Sequence, residues 1–386
     1  MTIKQDPILH IEIDWATQKH DVCIQCPDGS KKFIVIDSSP ESIDEWVTDL
    51  RNKYKCHIHA AVELCRGPIV YALQKYNFIT IFPVNLAKYR ETFYPSGAKD
   101  DSTDAEFALD LMIKYPNKVK PLKLASEPMR KLSFLVEQRR RLVDDRRRFS
   151  NRLINTLKQY YPQLLTWFSH RDTKLFMDFI MRWPSLQKLQ RSHENTIRKF
   201  FHSHGGNAVT LAEKRIDLIK KSTVLTNDNA VLESHELLST TLARQLQTVI
   251  SSIRDFGIEI EKIYKEMPDA ELFNSLPGTG ACLAPKLLVV MGENRDKFNT
   301  ASEVQMYARI APVTERSGKK CWVHWRWQCS KFLRQSFIEW SEKSVPRSFW
   351  AGLYYNQQRA KGSSHQAAVK SLAFKWNAYC LVVGSH

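Results

Sequence analysis

Apolar and polar residues alternate along the first stretch of the chain, in Ile8-Leu9-His10-Ile11-Glu12-Ile13-Asp14, then over Asp21–Gln25 and Lys32–Ile36. A period of two predicts strands that bury one face. The breaks fall at Trp15-Ala16-Thr17 and at Pro27-Asp28-Gly29, and the second has the composition of a tight hairpin turn. The pattern then changes. Ser39-Pro40-Glu41 offers a cap, a proline and an acid in the order a helix start requires, predicting a helix to Lys53. A strand ending at Glu63, a helix from Gly67-Pro68 to Tyr76 and a strand over Phe78-Ile79-Thr80-Ile81 are expected next.

Three β runs followed by alternating helix and strand predict an α/β domain over residues 1–126, a mixed sheet flanked by helices in a ribonuclease-H-like arrangement. From Glu127 the period lengthens. Leu132, Leu135, Leu142, Phe149, Leu153 and Tyr160 follow a heptad seam on which Arg139 and Arg146 also fall. A second seam runs through Leu242, Leu246, Val249, Ile253, Phe256, Ile260 and Ile263, and Pro268 ends it. The two segments are expected to pair as an antiparallel coiled coil, or to mediate oligomerisation, over 127–268. Breaks at Pro184 and His204-Gly205-Gly206-Asn207 mark a small helical insertion near 163–228. A mostly α domain is expected over 269–386. It opens with Leu276-Pro277-Gly278-Thr279-Gly280-Ala281, which has the form of a helix-hairpin-helix turn or of an ordinary Gly-rich connector.

Charge narrows the function. Lys and Arg total 57 against 41 acids in 386 residues, a net +16, which favours a polyanionic partner. Met1 to Pro7 lacks an apolar signal core, and stretches such as Leu287–Met291 are too short to span a membrane. Eight cysteines without regular spacing read as reduced thiols of a cytoplasmic protein, one expected to lie with the prokaryotic nucleoid. Cys23-x-x-Cys26 lies on an expected strand, where positions three apart face opposite ways, which argues against a zinc knuckle.

Four acids carry the candidate chemistry. Asp14 and Glu63 end strands, and Asp101 and Asp104 lie three apart on one face of a helical segment. Such carboxylates can hold two Mg²⁺ ions that clamp the attacking and leaving oxygens of a phosphoryl transfer. Glu12 shares the parity of Asp14 and is a competing acid. Arg139, Arg140, Arg141, Arg146, Arg147 and Arg148 wrap cations around much of one helix, more than a plain solvated face needs, and are expected to contact phosphates. Ser317-Gly318 is an expected exposed turn among Arg316, Lys319, Lys320 and Arg326. A serine there is ordinarily a turn residue, and it becomes a nucleophile only where its alkoxide is stabilised. Trp322, Trp325 and Trp327 either stack on bases or fill a core, and the shared strand parity of two of them favours core.

Ile13-Asp14, Glu63-x-x-x-Gly67-Pro68, Ala98-Lys99-x-Asp101-x-x-Asp104-Ala105, Leu276-Pro277-Gly278-x-Gly280 and Ala311-Pro312 leading to Ser317-Gly318-Lys319 occur in that order. In these elements the chain resembles the DEDD transposases, or recombinases, of bridge-RNA-guided insertion sequences, over nearly its whole length. The resemblance implies a RuvC-like N-terminal domain whose Asp14, Glu63, Asp101 and Asp104 bind Mg²⁺. It implies a C-terminal domain whose Ser317 attacks DNA to form a covalent phosphoserine, with Thr314 as a fallback. It further implies a structured noncoding guide RNA, DNA of the element ends and the target, and a tetramer in which one subunit's serine completes another's carboxylate site.

Two rival readings use the same residues differently. A RuvC-like endonuclease or resolvase would activate water with its metals and have no need of Ser317. A nucleic-acid-binding protein without catalysis would tolerate loss of Asp14, and the complete acid set argues against it.

Overall fold

The computed structural model describes residues 8–26, 28–62, 67–76, 78–81, 101–115, 125–205, 212–293, 300–308, 310–311, 313–318, 320–324 and 331–383. The chain divides into two compact units, Met1–Leu124 and Ala125–His386.

In the first unit, β1 (Ile8–Trp15), β2 (Lys19–Gln25) and β3 (Lys31–Asp37) form an antiparallel meander. The expected turn between β2 and β3 is present. Gly29 sits at φ +84°, and Asp28 Oδ1 accepts hydrogen bonds from the Ser30 amide at 2.9 Å and its hydroxyl at 2.6 Å. The helix α1 (Pro40–Tyr54) follows. Ser39 caps it by accepting from the Ser42 amide, and Lys55 closes it in the left-handed region at φ 48°. Next come β4 (His57–Val62), α2 (Pro68–Lys75) and β5 (Ile79–Ile81), giving the mixed order β3-β2-β1-β4-β5, with β4 parallel to both neighbours.

Side-chain alternation gives the sheet two different faces. Leu9, Ile11, Ile13, Val22, Ile24, Ile58, Ala60 and Val62 face α1 and α2, which contribute Ile43, Val47, Leu50, Ile69, Val70 and Leu73. Each of the larger side chains stabilises the unit by roughly 1.5–3 kcal/mol on burial. The opposite face, with Cys23 and Ala61, is covered by Ala105, Ala108, Leu109 and Met112 of α3 (Asp101–Lys114). Those four positions form one helical stripe, and the small alanines let the helix lie close to the strands. Lys31 of β3 reaches Glu106 at 3.7 Å and Asp110 at 3.9 Å, tying α3 across the sheet.

Among its described residues the second unit is helical apart from one hairpin. Two long helices, α4 (Glu127–Tyr160) and α10 (Asn229–Lys265), pair antiparallel within the chain, the first of the two expectations for these seams. Leu132, Leu153 and Tyr160 of the first seam are buried, but Leu135, Leu142 and Phe149 are only half-buried, and Met129, Val136 and Leu157 join from the adjacent stripe. The middle of the pair, where Arg139 and Arg146 interrupt the seam, holds no fully buried side chain from 137 to 152.

A core forms at each end of the pair. At one end α5 (Gln163–Trp167), α6 (Lys174–Arg182), α7 (Leu186–Gln190), α8 (Glu194–Ser203) and α9 (Ala212–Lys221) enclose an aromatic cluster of Trp167, Phe168, Phe176, Phe179, Trp183, Phe200 and Phe201. The insertion therefore shares a substantial core with Leu153, Leu157, Leu242 and Leu246 of the long helices. At the other end Met129, Leu132, Val136, Ile260, Ile263 and Tyr264 pack with α11 (Ala270–Ser275), α12 (Gly280–Met291) and α13 (Ala301–Tyr307). The same core takes in α14 (Lys331–Ser344), α15 (Phe349–Ala360) and α16 (His365–Val383), so it draws on both sides of Pro268. The hairpin is β6 (Val313–Ser317) with β7 (Lys320–His324). Among the described residues no helix is long and apolar enough to cross a membrane.

Candidate active site

Asp14 lies one residue from the end of β1, half-buried, on the sheet face that α3 covers. Its position is enforced: Ile13, beside it in sequence and fully buried on the other face, pairs with Val62 of β4, and a slip of one residue would exchange the two faces. Of the three partners expected for it, Asp101 and Asp104 stand in the first turn of α3, on positions that continue the Ala105-Ala108-Leu109-Met112 stripe backwards. Their side chains lie outside the described residues, as does Glu63, two positions beyond Ala61.

Two acids near Asp14 escaped sequence reasoning or were only half seen. Asp21 of β2 is the direct antiparallel partner of Asp14. Like charges so placed repel, and the signal that would have found them is the register set by the short loop after Trp15. Glu12 is 3 % exposed beneath α3 and pairs in register with Cys23. Burial, followed by the field of Glu12, pushes the Cys23 thiol up to about 11, so it stays protonated at neutral pH. Cys23 faces α3, while Cys26 contacts Tyr54 Oη at 3.7 Å, toward the α1 side. The CxxC pair is thus split between the faces and forms no knuckle. On that α1 side His20 is 1 % exposed and stacks on Trp15; burial lowers its pKa, with Asp14 and Asp21 opposing.

Ser317 is the last residue of β6, opposite Lys320, and two residues link the strands, with Gly318 at φ +57°. Alternation places Ser317, Glu315, Lys320 and Trp322 on one face of the ribbon, and Arg316 and Cys321 on the other. Ser317, Arg316 and Lys320 are exposed. Trp322 is 46 % exposed, which corrects the core reading for that tryptophan. Lys319, Trp325, Arg326 and Trp327 lie outside the described residues, and nothing is described of the Thr314 side chain.

The arginine-rich stretch of α4 carries its own counter-charges. Arg140, 17 % exposed, bridges Glu137 and Asp144, each at 2.9 Å, and its hydrogen bond holds the Glu137 carboxyl below its ordinary range. Arg141 pairs with Glu137, Arg146 with Asp172, Arg147 with Asp144 and Arg148 with Asp145. Arg139 instead donates to Cys282 Sγ at 3.5 Å and, with Arg140, lines a cavity of about 330 Å³ walled by Val136, Ile260 and Leu283. Arg141, Arg147 and Arg148 remain 60–73 % exposed, so their ion pairs are weak, roughly 0–1 kcal/mol each, and open to exchange.

The turn before α12 is engaged in packing. A Cβ at Gly278 would stand 2.4 Å from the Lys343 carbonyl oxygen, and the residue sits at φ +80°. Trp340 donates to the Pro277 carbonyl at 3.0 Å, and the buried Thr279 hydroxyl donates to Leu276. Gly278 thus lets the turn close onto α14, while Gly280, at φ +55°, faces open space.

Known proteins resemble the chain in both of its units. A DEDD-type transposase family model matches residues 11–162, spanning the sheet, α3 and all of α4. A second, described as a transposase of the IS116/IS110/IS902 family, matches residues 270–356, spanning the turn at Gly278 and the serine hairpin. The chain is 26 % identical over 390 residues to the "Mini-circle putative transposase for IS117" of Streptomyces coelicolor, covering 97 % of this chain and 94 % of that one. It is 26 % identical over 283 residues to the "Insertion element IS110 uncharacterized 43.6 kDa protein" of the same organism, covering 72 % and 69 %. A "Putative transposase y4uE" of Sinorhizobium fredii is 29 % identical over 203 residues, half of this chain and 55 % of that one. With both models matched in order, and together over more than half its length, the chain belongs to the IS110-type family of DEDD transposases, enzymes of DNA recombination.

Proposed function

We propose that this transposase cuts and rejoins DNA at a ribonuclease-H-like (RuvC-like) carboxylate centre formed by Asp14, Glu63, Asp101 and Asp104, with Ser317 as the nucleophile. Under this reading residues 1–126 hold the acids, 127–268 the coiled coil and 269–386 the serine. The observation that carries it is the placement of Asp14 at a strand end on the very face covered by α3, the helix that opens with Asp101 and Asp104.

The donor set fits a hard divalent cation. It consists of carboxylate oxygens, and the opposition of Asp14 to Asp21 is a charge repulsion that a cation relieves. Two Mg²⁺ ions, when bound, supply Lewis-acid stabilisation of the attacking and leaving oxygens. The protein's own part is positional. The four acids hold the ions, and Arg316, Lys319, Lys320 and Arg326 draw the scissile phosphate to the ribbon and offset its developing charge. Ser317 Oγ bonds to phosphorus as the bond from phosphorus to a deoxyribose oxygen breaks. The serine proton leaves to solvent, and the departing oxygen takes one up. Attack by a hydroxyl of another strand reverses the steps and rejoins the DNA with no net hydrolysis.

The net charge of +16 supports a second polyanion beside DNA, and in this reading a structured noncoding RNA selects element ends and target. The exposed, ribbon-borne serine suits a tetramer in which one subunit's hydroxyl serves another's acids.

Denaturing gels of the protein with element-end DNA and its flanking RNA test the nucleophile. The native chain is expected to form a DNA-linked adduct and Ser317→Ala none. Adducts that persist in Ser317→Ala refute the assignment, and nicked products free of protein would favour a metal-activated water.

A further inference from the structure

From Lys343 to His386 the chain carries Lys343, Arg347, Arg359, Lys361, Lys370 and Lys375 but no Asp or Glu. Most of this stretch is α15 and α16, which are held together by Tyr354 and Ser371 hydroxyls 2.7 Å apart and by Tyr355 Oη with His365 Nδ1 at 2.8 Å. Along one edge of the pair, aromatic rings reach the surface. Trp350 meets the buried Trp376 edge-on at 5.1 Å and 79°, and Tyr379 meets the same ring at 5.3 Å and 80°. A shared neighbour places both on one patch, where Trp350 is 46 % and Tyr379 48 % exposed. Phe349, next to Trp350, is 84 % exposed and contributes almost nothing to the core. Exposed cations lie close by in sequence: Arg347 two residues before Phe349, and Lys375 one helical turn before Tyr379.

Flat rings on a segment that carries cations and no acid from Lys343 onward, the nearest being Glu342 at 3.9 Å from His365, are the components of a surface for unpaired nucleotides, which stack on aromatic faces while cations follow the backbone. A duplex keeps its bases stacked inward and offers such rings nothing. We infer that the α15–α16 edge is a stacking platform for an unpaired DNA strand, with bases on Phe349, Trp350 and Tyr379 and phosphates toward Arg347 and Lys375. The choice of DNA over RNA rests on membership of a transposase family, and the platform is independent of the carboxylates and of Ser317.

Fluorescence anisotropy with the full chain tests it, using an oligo-dT of about 16 nucleotides, a duplex of equal length and an oligo-rU. The double variant Phe349→Ala/Trp350→Ala is expected to weaken oligo-dT binding about tenfold or more and to leave duplex binding within about twofold. Phe349→Ala alone, at a site too exposed to affect folding, is expected to weaken oligo-dT about threefold with an unchanged melting temperature. Phe349→Tyr, which keeps a ring, is expected to bind as the native chain does. Ser317→Ala is expected to bind oligo-dT normally, which separates this outcome from that of the catalytic proposal. Unchanged oligo-dT affinity in both alanine variants, an equal loss for duplex, or a loss confined to oligo-rU overturns the inference. So does a change of oligomeric state in sedimentation with oligo-dT binding intact, which would assign the patch to a second copy of the chain.

Discussion

Asp14 stands on a strand whose Ile11 and Ile13 are fully buried, under a helix packed through alanines, whereas Ser317 closes a two-stranded ribbon with exposed residues on both faces. The acid's position is dictated by a core on either side of the sheet. The serine's position is dictated by the geometry of one turn. In the proposed roles the difference is useful: a metal ligand has to be held to within a few tenths of an ångström, and a nucleophile that must meet a phosphate on a large substrate gains more from being presented at the surface.

Crowding each region should cost differently. Ala108 is 1 % exposed at the contact between α3 and the sheet, so Ala108→Leu is expected to destabilise the chain by roughly 1–3 kcal/mol. A methyl at Gly318 meets open space and bears only the strain of φ +57°, so Gly318→Ala should cost about 1 kcal/mol. Denaturant unfolding of the two variants measures both; equal costs would abolish the distinction drawn between core-set and turn-set residues.

Acid sharpens the contrast more gently. Burial lowers the pKa of His10, His20 and His59, all on the sheet, below the ordinary 6.5. A histidine with a depressed native pKa binds its proton less readily than in the unfolded chain. The stability it confers is present above pH 6.5 and declines as pH falls toward the native value. Protection factors of the amides in β1, β2 and β4 are therefore expected to fall below pH 6.5. His20→Gln should flatten that slope, and a slope unchanged by the substitution would remove His20 from the account.

The smallest effect is expected on α4. Arg147→Ala and Arg148→Ala, which break exposed pairs, should change stability by no more than about 0.5 kcal/mol. Each should lower the salt dependence of nucleic-acid binding by roughly one unit of slope if its cation meets a phosphate. A slope that does not move would leave these arginines as structural partners of Asp144 and Asp145.

Much of the scaffold was legible because local chemistry agreed with the tertiary outcome. The hairpin at Asp28-Gly29, the Ser39-Pro40 helix start and both long helices announce themselves through turn residues, caps and period. What was hidden depends on contacts remote in sequence. The role of Gly278 follows from the carbonyl of Lys343, and the opposition of Asp14 to Asp21 follows from a register no single strand reveals. The arginine pairs lay in plain view, since Glu137, Asp144 and Asp145 occur three or four residues from their partners. Taking those three acids as only a partial offset overstated the free charge. Phe349 and Trp350 were overlooked because exposure, which sets them apart, leaves no periodic trace.

Because most of those guanidinium groups already hold a carboxylate, any polynucleotide settling on α4 must displace an occupant rather than fill a vacancy. A contact made with one of the paired arginines would be a swap of one anion for another, with little net gain, and its reversal equally easy. Such a surface grips by number rather than by strength. A strand bound there would be able to creep or be handed on without becoming trapped.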